Sequence, residues 1–212
     1  MSNFDLLIRN GTVATAADTF QADVAIKDGR VVALGHDLGT AEQEIDAAGK
    51  LLLPGGIEGH CHIEQISSSR VMTADDFYSG TVSAVFGGTT TVIPFAAQQK
   101  GDSLRQTVED YHACAGPKAV IDYGFHLIIS DPSDQVIGQE LPALIKDGYT
   151  SFKVYMTYDD LRLDDYQMLE VLSAARRDGA MVMVHAENHD MIRWLSEKLL
   201  DAGHWQPQYH AI

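Results

Sequence analysis

The sequence predicts an α/β protein in which a block of N-terminal strands precedes alternating strands and helices around a parallel sheet. Three observations carry that prediction. Residues 5–53 are short β-like runs broken by Asn-Gly and Asp-Gly pairs. From residue 56 onward, five strand-like runs alternate with five helical patterns, the grammar of βα units in a doubly wound sheet or a (β/α)8 barrel. A chain of 212 residues, 45% hydrophobic and 8% aromatic, can supply a core.

In the first block, "DLLIRNGTV" predicts a strand with an Asn-Gly turn, and "DVAIKDGRVVAL" two strands joined at Asp28-Gly29. "EIDAAGKLLLP" adds one more strand before Pro54. Hairpins of this length bury little alone, so residues 1–55 are expected to be the N-terminal part of a β-sandwich that needs further strands. In the second block, residues 56–212, the strand-like runs are "GIEGHCHI", "TTTVIPFA", "AVIDYGFHLIIS", "TSFKVYM" and "MVMVHA". Helical patterns cover 75–86, 102–115, 133–146, 164–177 and 190–200. The fourth has Asp164 as N-cap, Gln167 three residues later and Gly179 just past its end, with Met168, Leu169, Leu172 and Ala175 as its buried face. The uncharged stretch 77–99 contains Gly87-Gly88 and Pro94, so it predicts a helix, a turn and a buried strand rather than a membrane span.

Composition excludes several classes. Thirty acidic against 15 basic residues leave a net charge of −15 and no basic stripe, which argues against nucleic acid or an anionic membrane as partner. Cys61 and Cys114 form neither a disulfide framework nor a paired zinc motif, and "MSNFDLLIRN" has no secretory h-region, so a reducing cytoplasm is expected. The balance suits an enzyme acting on small molecules of little charge.

"PGGIEGHCHIEQ" places His60 and His62 on one side of a strand end and Cys61 on the other. Such a pair is either a satisfied polar pair or the first half of a metal site. Lys153 lies in the fourth strand-like run and His185 ends the fifth, so the four residues are expected at one mouth, where barrel enzymes build their sites. Lys153 is flanked by apolar residues. It is either a lysine that snorkels or pairs with an acid, or an amine that has taken up CO2; an ammonium cannot ligate a cation, whereas a carbamate can bridge two.

The motifs "PGGIEGHCH", "TADDFYSGTV", "GGTTTVIPF", "GYTSFKVYMTY" and "VMVHAEN" resemble those of the cyclic amidohydrolases of dihydropyrimidinase and D-hydantoinase type, over nearly the whole chain. The resemblance implies a partial TIM-like (β/α)8 barrel of the amidohydrolase type, with residues 56–212 as its first five βα units, preceded by sandwich strands. It implies two zinc ions, with His60 and His62 on one, His185 on the other and carboxylated Lys153 bridging both. It also implies hydrolysis of a cyclic amide of pyrimidine catabolism to an N-carbamoyl amino acid, in a homodimer or homotetramer at full length. Tyr158 would donate to the oxyanion. The segments "IEQISSSRVM" and "YMTYDDLRL" would line the pocket, with Tyr155 and Ile66 against the exocyclic substituent.

Two departures stand out. The acid two residues before His60 is Glu58 where the family pattern has Asp, and the family's further histidine and aspartate belong to later strands, so the chain reads as the front portion of an enzyme. His204 and His210 read as loop residues, His126 as able to face the interior without fitting the ligand pattern, and His36, His112 and His189 as solvated or satisfied. An allantoinase-like activity and a non-catalytic scaffold of the same fold are the competing readings.

Overall fold

A computed structural model describes residues 3–66 and 71–211, with the side chain of 211 excepted. The chain divides into two compact units, Met1–Gly55 and Gly56–Ile212.

The first unit is one sheet built on β1 (Phe4–Ala14). β2 (Thr19–Lys27) and β3 (Arg30–Gly35) follow as antiparallel neighbours in the order β3-β2-β1. Their joint is the predicted Asp28-Gly29 turn, with φ of 51° and 70°, the left-handed pair that matches strand twist. The expected single strand before Pro54 is instead two, β4 (Ala41–Asp46) and β5 (Leu51–Leu52), both parallel to β1. The expected Asn-Gly turn is a β-bulge inside an unbroken β1, where the register shifts between Ile8 and Gly11. Asn10 takes φ 61° there, its N–H donating to Asp23 Oδ1 (3.0 Å) and its amide to Asp46 Oδ1 (2.9 Å). A Cβ on Gly11 would lie 2.5 Å from Leu52 Cδ1, so any larger residue would have to displace the Leu52 side chain. The turn and the bulge share one sequence signal, and side-chain partners far along the chain decided between them.

In the second unit, β6 (Gly56–Cys61), β7 (Thr89–Ala97), β9 (His126–Ile128), β10 (Ser151–Tyr155) and β11 (Met181–His185) lie side by side, all parallel. Their order follows the sequence, without the reversal that marks a doubly wound sheet. The third strand-like run splits at Gly124 into β8 (Asp122–Tyr123), paired with β7, and β9.

Side chains alternate between two faces. Val92, Ala96, Leu127, Ile129, Phe152 and Val154 enter one apolar core with residues of the covering helices α1 (Phe77–Phe86), α2 (Leu104–Ala115), α3 (Leu141–Lys146) and α4 (Asp165–Asp178). Phe95, Ile128 and Tyr155 pack together on the opposite, inner face. Stretch 77–99 is the predicted helix, turn and buried strand, and no helix among the described residues is long and apolar enough to cross a membrane.

Helix ends follow their caps. α1 starts after Asp76 rather than at 75, because Asp76 and Ser79 form the capping box. α5 (His189–Asp201) starts one residue earlier than predicted, capped by Asn188. The predicted 133–146 helix opens with a π-turn, Val136–Glu140, before α3, and Glu140 accepts from Ser103, Arg105 N–H and Gln135. α4 has its predicted Asp164–Gln167 box and a left-handed Gly179. Its buried face is Val171, Ala174 and Ala175, with Met168 beside them. Leu169 and Leu172, expected there, are 64% and 37% exposed. The row 168, 171, 175 meets the sheet, and one residue further on lies about 100° around the helix.

At the carboxyl ends of β7 and β9, fully buried Gln98 accepts from the N–H of Ser130 and of Asp131 (both 3.1 Å) and donates to Asp102 O (2.9 Å). Gln98→Leu removes these bonds and strands two amide donors, so it should cost about 2–4 kcal/mol in denaturant unfolding of the protein. An unchanged midpoint would mean that water satisfies both amides.

Candidate active site

The inner face collects the polar residues singled out from the sequence. His60 is the penultimate residue of β6 and His62 follows its end. Their ring centroids are 5.9 Å apart, and both rest on Phe95 at 4.8 and 5.0 Å, His62 stacked. Glu58 accepts the His60 backbone N–H (2.8 Å), so the longer acid braces the strand end. His62 Nδ1 lies 2.5 Å from Gln65 Oε1.

Cys61 turns the other way, into the helix-covered core. Burial, aided by Glu58, pushes its thiol up to about 11, so it offers no thiolate at neutral pH.

On β10, alternation sends Phe152 and Val154 into the helix layer and Lys153 and Tyr155 inward. Lys153 is 8% exposed, and its Nζ lies 5.3 Å from the Tyr155 ring centroid. Among the described residues no carboxylate pairs with it. Tyr155 stacks on His185 (5.6 Å) and meets Tyr158 edge-on (5.8 Å). Burial raises the Tyr155 phenol above its usual range, with Tyr158 adding to the shift. His185 ends β11, its Nε2 in short contact with Glu187 and 3.5 Å from the Tyr158 hydroxyl. Tyr158 holds φ 70°, an uncommon state for a residue with a side chain, while its carbonyl accepts from Leu161 (2.9 Å) and Arg162 (2.8 Å). The residue is 44% exposed.

A cavity of about 890 Å³ opens at the carboxyl ends of the strands, lined by His62, Gln65, Ile66, Tyr155 and Tyr158 among others. Tyr155, Tyr158 and Ile66, singled out for substrate contact, therefore share one cavity with His62. Of the expected pocket loop 63–72, residues 67–70 lie outside the described residues. His60, Lys153 and His185 are not among the cavity's lining residues. Among the described residues no three His, Cys, Asp or Glu side chains are grouped so that they could hold a metal ion. The histidines instead stand as a pair around Phe95 and a single ring among Tyr155, Tyr158 and Glu187.

Several of the remaining histidines have other partners. His126 faces inward, but its Nε2 meets Gly59 O (2.9 Å) and its Nδ1 meets Ser151 Oγ (2.6 Å), which uses both nitrogens. Burial lowers its pKa, and nearby His60 lowers it further. His112 lies between the hydroxyls of Tyr149 and Tyr123, and His204 stacks on Tyr209. His189 opens α5 with Nδ1 3.4 Å from Thr157 Oγ1. Against expectation it is neither solvated nor fully satisfied, since its buried Nε2 makes no hydrogen bond and only approaches Asp159 Oδ1 at 3.5 Å. His210 lies in a closing 3-10 turn (Pro207–Ala211). Gln65, Phe95 and Glu187 were missed by the sequence reading, and each is revealed only by what it touches.

A model of the amidohydrolase family matches residues 51–209. The chain is 48% identical to the D-hydantoinase of Geobacillus stearothermophilus, covering 97% of this chain and 44% of that protein. It is 41% identical to the dihydropyrimidinase of Rattus norvegicus, covering 98% and 41%. A crystal structure of dihydropyrimidinase from Brevibacillus agri superposes with a TM-score of 0.92 at 45% identity, covering 97% of this chain and 45% of that one. The chain thus spans a little under half the length of these relatives.

At pH 8 a thiol titrating near 11 is about one part in a thousand thiolate. Iodoacetamide should therefore label exposed Cys114 and spare Cys61 in the folded protein, as read by peptide mass spectrometry. Comparable labelling of both would place Cys61 on an accessible face.

Proposed function

The chain belongs to the amidohydrolase family, and from that membership we propose that the protein carrying it opens the ring of dihydropyrimidines or hydantoins by hydrolysis. Water adds its oxygen to the ring carbonyl carbon, the ring C–N bond breaks, the nitrogen takes a proton, and an N-carbamoyl amino acid leaves. The observation that carries this reading is the cavity at the strand ends, which His62 shares with Tyr155, Tyr158 and Ile66.

The donor set suits zinc, which imidazole nitrogens and oxygen ligands bind. His60 and His62 stand as an adjacent pair, and Lys153 is a buried amine without an acid partner among the described residues; CO2 added to its neutral form, with loss of a proton, would give an anionic carbamate whose oxygens suit cations. His185 would exchange Glu187 for the ion. Two zinc ions held by His60, His62, His185 and carboxylated Lys153 would supply the Lewis acidity that activates water and polarises the carbonyl. Family ligands on later strands would complete them. Tyr158 donates its hydroxyl proton toward the carbonyl oxygen as negative charge develops there. Tyr155 and Ile66 face the exocyclic substituent, and Phe95 holds the two imidazole planes in place.

The same reading extends to the whole protein. Residues 56–212 form the first five units of a closed (β/α)8 barrel. The Met1–Gly55 sheet is part of a sandwich, in keeping with the exposed Val31, Val32 and Leu34 of β3. The full-length protein is a cytoplasmic homodimer or homotetramer. A non-catalytic scaffold is not favoured, because it gives no reason for an unpaired buried lysine.

In the full-length protein, Tyr158→Phe should lower kcat by about two to three powers of ten with zinc content intact. An unchanged kcat on dihydrouracil and hydantoin would return Tyr158 to a structural role. Lys153→Ala should lose zinc and activity together and recover part of both with added short-chain carboxylates. Full activity without any additive would sink the bridging carbamate.

A further inference from the structure

We propose that Gln65 is a positioning residue that fixes the tautomer of His62, holding a proton on Nδ1 so that Nε2 is the nitrogen presented to metal. The proposal rests on the reading of His62 as a metal ligand. Gln65 Oε1, 2.5 Å from Nδ1, is an acceptor only, so the imidazole must donate across that contact. The Gln65 amide also reaches the phenol of Tyr111, which gives it a second side-chain partner. Gln65 is 8% exposed, so its carbonyl has little water to turn to.

The backbone around Gln65 leaves it little freedom. Its N–H donates to Thr73 Oγ1 (3.0 Å), and its carbonyl accepts the Thr73 N–H (3.0 Å). The preceding Glu64 sits at φ 48°, its N–H on Asp75 O (2.9 Å). The Glu64 carboxylate takes the Phe77 N–H (3.1 Å) and pairs with Lys118. Glu64 is thereby tied to the start of α1 and Gln65 to Thr73 in the segment before it, so Gln65 reaches His62 from an anchored base. Stacking on Phe95, 22° from parallel, fixes the remaining rotation of the His62 ring. Ring plane and proton position are both set before any ligand arrives. A histidine that ligates metal characteristically gives its other N–H to such an acceptor, and removing that acceptor costs roughly 10- to 100-fold in metal affinity.

An amide differs from the carboxylate more often found in this role because it orients the ring without adding charge. Gln65→Glu keeps an acceptor of the same reach, and Gln65→Met keeps the length and removes it.

The test uses the full-length protein and reads zinc affinity by chelator competition, alongside 15N-histidine NMR of the metal-free protein. Gln65→Met should bind zinc roughly 10- to 100-fold more weakly while Gln65→Glu retains wild-type affinity. His62 in the wild type should show Nδ1 protonated, a readout that needs no variant to fold. An Nε2-protonated His62 would overturn the proposal, as would a Gln65→Glu protein as weak as Gln65→Met. Unchanged zinc affinity with a raised KM in Gln65→Met would also overturn it and make Gln65 a substrate contact. A wild-type protein that binds no zinc overturns the metal reading of the site as well, whereas zinc binding indifferent to Gln65→Met overturns this proposal alone.

Discussion

The two-residue alternation of β10 is the constraint on which the site depends. Phe152 and Val154 are fully buried among the helix side chains, which forces Lys153 and Tyr155 onto the inner face. A slip of one residue would drive the Lys153 amine into the apolar layer and empty the space filled by two large side chains, a cost of several kcal/mol. The core thereby fixes the register of Lys153 opposite Ile128 and Met183, and of Tyr155 opposite His185. The geometry of the candidate site on the inner face is thus a consequence of hydrophobic packing on the outer one.

Much of this was legible because alternation and capping are local. The Asp28-Gly29 turn, the 77–99 helix and strand, and the Asp164–Gln167 box with Gly179 each rest on a few adjacent residues. Misreadings arose where distant partners decide. Asn10-Gly11 carries a turn signal, but Asp23 and Asp46 hold Asn10 as a bulge within one strand. The π-turn at Val136–Glu140 keeps the Glu140 carboxylate over the start of α2, a contact some 35 residues distant that periodicity cannot see. Burying Leu169 and Leu172 was a phase error of one residue, since α4 is apolar enough to offer two adjacent faces and the sheet took only one.

Within the candidate site, the residues with unusual chemistry were legible and those that hold them were not. A His-x-His at a strand end and a lysine in an apolar run stand out against their surroundings. Gln65 and Glu187 do not, because glutamine and glutamate occur throughout the chain and mean nothing until the strand before them ends. His62 and His185 nevertheless share an arrangement: each lies where β-structure stops, and the residue three or two positions later folds back to its imidazole. While a strand continues, the chain is carried away at about 3.3 Å per residue, so a residue three positions on points to the other face and does not fold back over the ring of i. Once the chain turns outward, it can. The end of the strand brings the acceptor within reach of the imidazole, and for His62 it also opens the ring to the cavity, so these braces belong at the carboxyl ends of the strands.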